Sequence, residues 1–178
     1  MSTARLRSSA AALLLLLAPA LASAASRYDP RLRFRTYRTA HFDVHAHQGE
    51  EALARRLGAI AERVRARFQP SLGVPRGRVQ VILVDQTDFS NGWANPFPYN
   101  AIEITAVPPP GEDQSGSPPP WLEFVFTHES THILHPDRPL GFMGGVRRIF
   151  GRTPLIFPIL FLPVWQIEGF ATFAESRI

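Results

Sequence analysis

His128-Glu129-Ser130-Thr131-His132 lies inside a stretch, Pro120 to His135, that reads P-W-L-E-F-V-F-T-H-E-S-T-H-I-L-H. This stretch predicts a helix. Proline suits the first helical position, Glu123 favours the positive N-terminal end, and Pro136 stops the run near His135. On that helix His128 and His132 are four residues apart and share one face, about 6 Å from each other, close enough to ligate one metal ion. Glu129 is rotated by about 100° from His128 and sits beside such an ion rather than on it. There it can take a proton from an attacking water and later hand it to a leaving amine. The flanks (Trp121, Leu122, Phe124, Val125, Phe126, Ile133, Leu134) are apolar, so the helix is a core element. Burying two imidazoles and a carboxylate on such a helix is costly unless they are paired or bound to a metal.

A catalytic zinc takes three protein ligands and keeps one position open. His135 shares the face of His128, but lies about 10 Å along the axis from it, too far for three histidines to converge on one ion. A third histidine at 138 after a glycine at 135 would complete another known ligand set; the chain has His135 and Arg138 instead. The third ligand therefore has to come from elsewhere in the chain.

Upstream, His41 to His47 alternates as a half-buried strand with Phe42, Val44 and Ala46 on one face, which places His41, His45 and His47 towards solvent. Glu50 to Phe68 carries Leu53, Leu57, Ile60, Ala61, Val64 and Phe68 at helical spacing and is ended by Pro70 and Gly73. Arg78 to Val84 is dense in β-branched residues and reads as a strand. Asp85 to Pro98, with Asn91-Gly92 and several prolines, reads as loop. Asn100 to Ala106 alternates again as a strand, and Val107 to Pro120 is too rich in Pro, Gly and Ser for regular structure. Arg138 to Val164 reads as irregular, and Trp165 to Glu175 as a final helix. This order of elements predicts an α+β fold, with a mixed or mostly antiparallel sheet packed on the His128 helix.

Trp165-Gln166-Ile167-Glu168-Gly169-Phe170-Ala171-Thr172-Phe173-Ala174-Glu175 resembles the W-x-x-E-G-x-A-x-[YF]-x-E signature of gluzincin peptidases. The wider pattern resembles the peptidase MA-like group of exported metallopeptidases. Its ordered pieces correspond to His41 to His45, Glu50 to Phe68, Val79 to Val84, Asp88 to Gly92 and Asn100 to Ile102, all ahead of H-E-x-x-H. The resemblance implies that Glu168 is the third zinc ligand beside His128 and His132, with Glu129 as the base. It implies a zincin-like, thermolysin-type domain in which the sheet covers the H-E-x-x-H helix and a glutamate helix follows it. The strand beside the cleft would be the sheet's edge, for which Ala101, Ile102, Glu103, Ile104 and Thr105 are the candidates, binding extended substrate as an added strand. The resemblance further implies that the chain is the N-terminal catalytic part of a longer protein, with its C-terminal helical half missing and a β-propeller beyond. N-A-I-E-I-T lacks the G-x-M-E-N segment of aminopeptidases of this clan, so it does not support exopeptidase specificity. Thr172 and Glu175 follow Glu168 on one helix face and are candidates to orient a ligand, as is Asp137.

Arg5 and Arg7, the apolar run Ala10 to Ala18 and Ala22-Ser23-Ala24 have the order of a secretory signal. Cleavage after Ala24 leaves 154 of the 178 residues as one metallopeptidase domain, exported to the periplasm or beyond. The formal charge of +4 includes two leader arginines, so the remainder carries +2, too little to argue for nucleic acid. The chain has no cysteine, which excludes disulfides, thiolate zinc sites and cysteine nucleophiles. Pro154 to Trp165 is strongly apolar yet too short and proline-rich to span a bilayer, and reads as buried packing or as a contact with a membrane surface or partner. The function expected is zinc-dependent peptide hydrolysis; the alternative is a non-catalytic zincin-like module that binds peptide or docks an envelope partner.

Overall fold

A computed structural model describes residues 28–109, 120–135, 141–151 and 162–177. The expected signal segment, Asp137 and most of Pro154 to Trp165 therefore lie outside the described residues. Ahead of Leu32 a short separate unit contains the exposed Arg31–Asp29 ion pair.

The main unit is α+β. Five strands, β1 (Arg35–Arg38), β2 (Phe42–Ala46), β3 (Val79–Val84), β4 (Gly92–Asn95) and β5 (Ala101–Thr105), form one mixed sheet in the order β1-β2-β3-β5-β4. β2, β3 and β5 are parallel neighbours, and the outer strands β1 and β4 run antiparallel to theirs. Parallel pairing of β2 with β3 needs a crossover, which α1 (Glu51–Leu72) supplies. α2 (Pro120–Leu134), α3 (Gly141–Phe150) and α4 (Val164–Glu175) are the other helices among the described residues.

Alternation in the strands decides where the core sits. Phe42, Val44 and Ala46 of β2, Val79, Val81 and Leu83 of β3, and Ile102 and Ile104 of β5 are all buried on the helix-bearing face. Against them α1 packs Ala54, Leu57, Ile60, Ala61, Val64 and Phe68, and α2 packs Leu122, Val125, Phe126 and Ile133. Each large apolar side chain buried there contributes roughly 1.5–3 kcal/mol. The Phe42 and Phe126 rings meet edge to face at 5.6 Å, joining β2 to α2. The Trp121 indole N–H donates to the Thr105 carbonyl at 3.2 Å and ties the start of α2 to the end of β5.

Several expectations need correction. α1 does not stop at Pro70: the proline sits exposed in its last turn, and the helix ends at Leu72, before Gly73 at φ 79°, whose N–H donates to the Gln69 carbonyl. Residues 141–150, expected to be irregular, form α3. The stretch read as loop contains β4, and this strand, not Ala101–Thr105, is the edge. β5 is paired on both sides, with Ile102 and Ile104 fully buried, so it cannot accept an added strand. His47 does not face solvent. β2 ends at Ala46, so the strand's alternation no longer governs the next residue. His47 is 5% exposed and lies 2.5 Å from Asp85 through Nε2. His45 is half-buried between Thr36 and Gln80, and only His41 of the three is exposed, paired with Glu62 at 2.7 Å.

Candidate metal centre

α2 is a polar helix segment set in an apolar frame, and its own hydroxyls explain how that is tolerated. Thr127 donates to the Glu123 carbonyl, and Ser130 and Thr131 both donate to the Thr127 carbonyl, at 2.7, 3.0 and 2.8 Å. Each buried hydroxyl is thus satisfied within the helix. The residues left without such partners are the two histidines and Glu129, which face away towards α4 and β4.

α4 packs on α2 and brings Glu168 and Glu175 to them. Glu168 Oε2 lies 3.3 Å from His128 Nε2 and 3.6 Å from His132 Nε2, and the two imidazole centroids are 4.8 Å apart. One donor atom from each of the three residues falls within 4.8 Å of the others. Donors bound at about 2.0–2.1 Å in a tetrahedron stand about 3.4 Å from one another. The two Glu168 separations bracket that value, and the two imidazole donors lie within 4.8 Å of each other, so the three donors are gathered around one point where a metal ion could sit. Two neutral imidazoles and one carboxylate are a borderline set that suits zinc.

Glu175, expected to orient a ligand, comes to His128, one of the three candidate donors. Its carboxylate accepts from His128 Nδ1, which leaves Nε2 as the free donor on the Glu168 side. Thr172 is not brought to the centre: its side chain is exposed, and its backbone carbonyl accepts from the Ser176 N–H. His135, excluded by axial distance, stands apart and packs its ring on Phe170 at 4.8 Å.

Burial tunes the site. It pushes the Glu129 carboxyl up to about 7; nearby Glu168 and Glu175 push the same way, and His128 opposes them. Burial also lowers His132, against the pull of Glu168, which favours the neutral imidazole a metal needs. A carboxyl that titrates near neutrality is suited to accept and return a proton.

The centre opens into a cleft of about 460 Å³, walled on the other side by β4 and the chain that follows it to Phe97. Ala101–Thr105 takes no part in this wall. Its contribution is indirect: Thr105 Oγ1 accepts from the Asn91 N–H at 2.6 Å and donates to the Asn91 carbonyl at 2.9 Å, fastening the chain just before β4. Sequence reading missed β4 because four residues beginning with glycine carry little strand signal. The available clue was the small residues at 92 and 94, one strand repeat apart, where a strand could pass close over a helix.

No family model, curated protein or solved structure matches the chain. The functional reading therefore stands on the residues and their geometry.

Proposed function

We propose that the chain is a zinc-dependent peptidase of gluzincin type, with His128, His132 and Glu168 as metal ligands and Glu129 as general base. The observation that carries this reading is the convergence of two imidazole nitrogens and one carboxylate, with the buried Glu129 carboxylate beside them, on the floor of an open cleft. A zinc ion bound there would supply Lewis-acid polarisation of a substrate carbonyl and a lowered pKa for water. Three protein donors leave such an ion one position short of four, as a catalytic rather than a structural site requires.

The protein's own groups have distinct tasks. Glu129 takes the proton from the attacking water and delivers it to the departing amine nitrogen, so that the amide C–N bond breaks with a neutral leaving group. Glu175 holds His128 by Nδ1 so that its other nitrogen keeps its direction. β4, as the sheet edge that borders the cleft, offers a backbone ladder along which an extended peptide adds as a further strand. Export after loss of residues 1–24 belongs to the same reading.

The test is Glu129→Gln. It should leave about one zinc per chain and lower peptide hydrolysis by at least about 10³-fold. Undiminished hydrolysis in that variant would remove Glu129 from the mechanism. Zinc binding with no hydrolysis by the native chain would favour a non-catalytic peptide-binding module.

A further inference from the structure

β4 crosses α2 at Gly92 with no room for a side chain. A Cβ placed there would stand 2.6 Å from Glu129 Oε1, 2.7 Å from Glu129 Cγ and 2.6 Å from Val125 Cγ2. The backbone does not require glycine at this point, because Gly92 is not among the positive-φ glycines. Glycine in a strand interior weakens the strand and is kept where another group comes close. At Gly145 and Gly169, by contrast, an added Cβ would meet nothing within 4 Å. The space left by the missing side chain is the space in which the Glu129 carboxylate sits.

We infer that Gly92 is a positioning residue for Glu129: the bare backbone of β4 is the seat of that carboxylate and sets its depth in the cleft. The inference rests on the reading of Glu129 as the base. The groups around the contact differ in their freedom to yield. The chain before Gly92 is held by Asn91, which exchanges bonds with the Thr105 hydroxyl and accepts from the Thr105 N–H at 3.0 Å. Gly92 itself is in register with Ile104 in the ladder. Val125 is buried at 4% exposure on the core side of α2. The Glu129 side chain, which borders the open cleft, is the group that can move. Relieving a 2.6 Å contact to an ordinary separation of about 3.5 Å means a displacement of about 0.9 Å. Misplacement of a reacting group by about 1 Å lowers rate by roughly 10²-fold.

The test is a double-mutant cycle read first by melting temperature, which needs no activity. Gly92→Ala should lower Tm by about 5 °C in the native background. In the Glu129→Ala background, where the displaced carboxylate is gone and only the Val125 Cγ2 contact remains, the same change should cost measurably less. If Gly92→Ala alone does not fold, recovery of folding in the double variant is the same result. On the zinc-loaded single variant, kcat should fall by about 10²-fold with KM and zinc content unchanged. Equal Tm losses in the two backgrounds, or a kcat within about threefold of native, would overturn the inference. Absence of hydrolysis by the native chain would overturn the peptidase reading instead, and would leave the Tm cycle to decide the contact.

Discussion

Replacing Glu175 tests whether the centre is built to hold a metal or is merely a cluster of polar groups. Its side chain is 9% exposed and that of His128 is 23% exposed, so the bond between them is largely shielded from water. A hydrogen bond to a charged group in such a setting contributes about 1.5–3 kcal/mol. Partners that orient a metal-bound histidine are worth about 10–100-fold in metal affinity, or about 1.4–2.8 kcal/mol, and the two estimates overlap near 2 kcal/mol. Glu175→Ala should therefore weaken zinc binding by about 30-fold, measured by competition with a chromophoric chelator at fixed pH. Glu175→Gln, which keeps an acceptor but loses the charge, should fall between the two. Thr172→Ala serves as the control on the same helix: its side chain is exposed, and affinity should stay within about twofold. Zinc affinity in Glu175→Ala within about twofold of native, or an equal loss in Thr172→Ala, would refute the reasoning.

His135→Ala should leave the zinc stoichiometry unchanged, because its ring packs on Phe170 rather than joining the donor set; loss of metal in that variant, by elemental analysis, would contradict the assignment. The pair of buried His47 with half-buried Asp85 predicts a pH dependence of stability. Burial alone would lower His47, but its bonds to Asp85 and the Gln48 carbonyl outweigh it and raise its pKa above 6.5, so the stabilisation is complete below about 6.5 and is lost as pH rises through the folded value. The urea midpoint of the native chain should thus fall more between about pH 6 and 9 than that of His47→Gln, and equal falls would count against it.

What the sequence made legible follows from how locally each feature is encoded. β2, β3, β5 and most of α1 carry their own apolar period and α2 is bounded by its prolines, and each appears close to where the sequence places it. β1 reads R-T-Y-R and has almost no apolar face; it is a strand because β2 pairs with it. β4 depends in the same way on β5, and misreading it moved the sheet edge to the wrong strand. α3 was hidden by its paired glycines, Gly144 and Gly145, which disfavour a helix when judged alone. In the site, the His128–His132 pair is fixed by helical spacing within one element. The approach of Glu168 and Glu175 is not: it depends on α4 lying across α2, and no local pattern encodes a helix crossing. The place of Glu168 came from a resemblance in its motif, and the fold independently sets it 3.3 and 3.6 Å from the two histidines. Gly92 was legible only as part of a turn-like dipeptide, since its closeness to Glu129 is a tertiary fact.

Elemental analysis of the purified chain after zinc loading and dialysis, run beside Glu129→Gln and Glu168→Ala, tests the central claim most directly. The account predicts about one zinc per chain in the native protein and in Glu129→Gln, and a large loss in Glu168→Ala. Absence of zinc from the native chain, or full retention in Glu168→Ala, would contradict it.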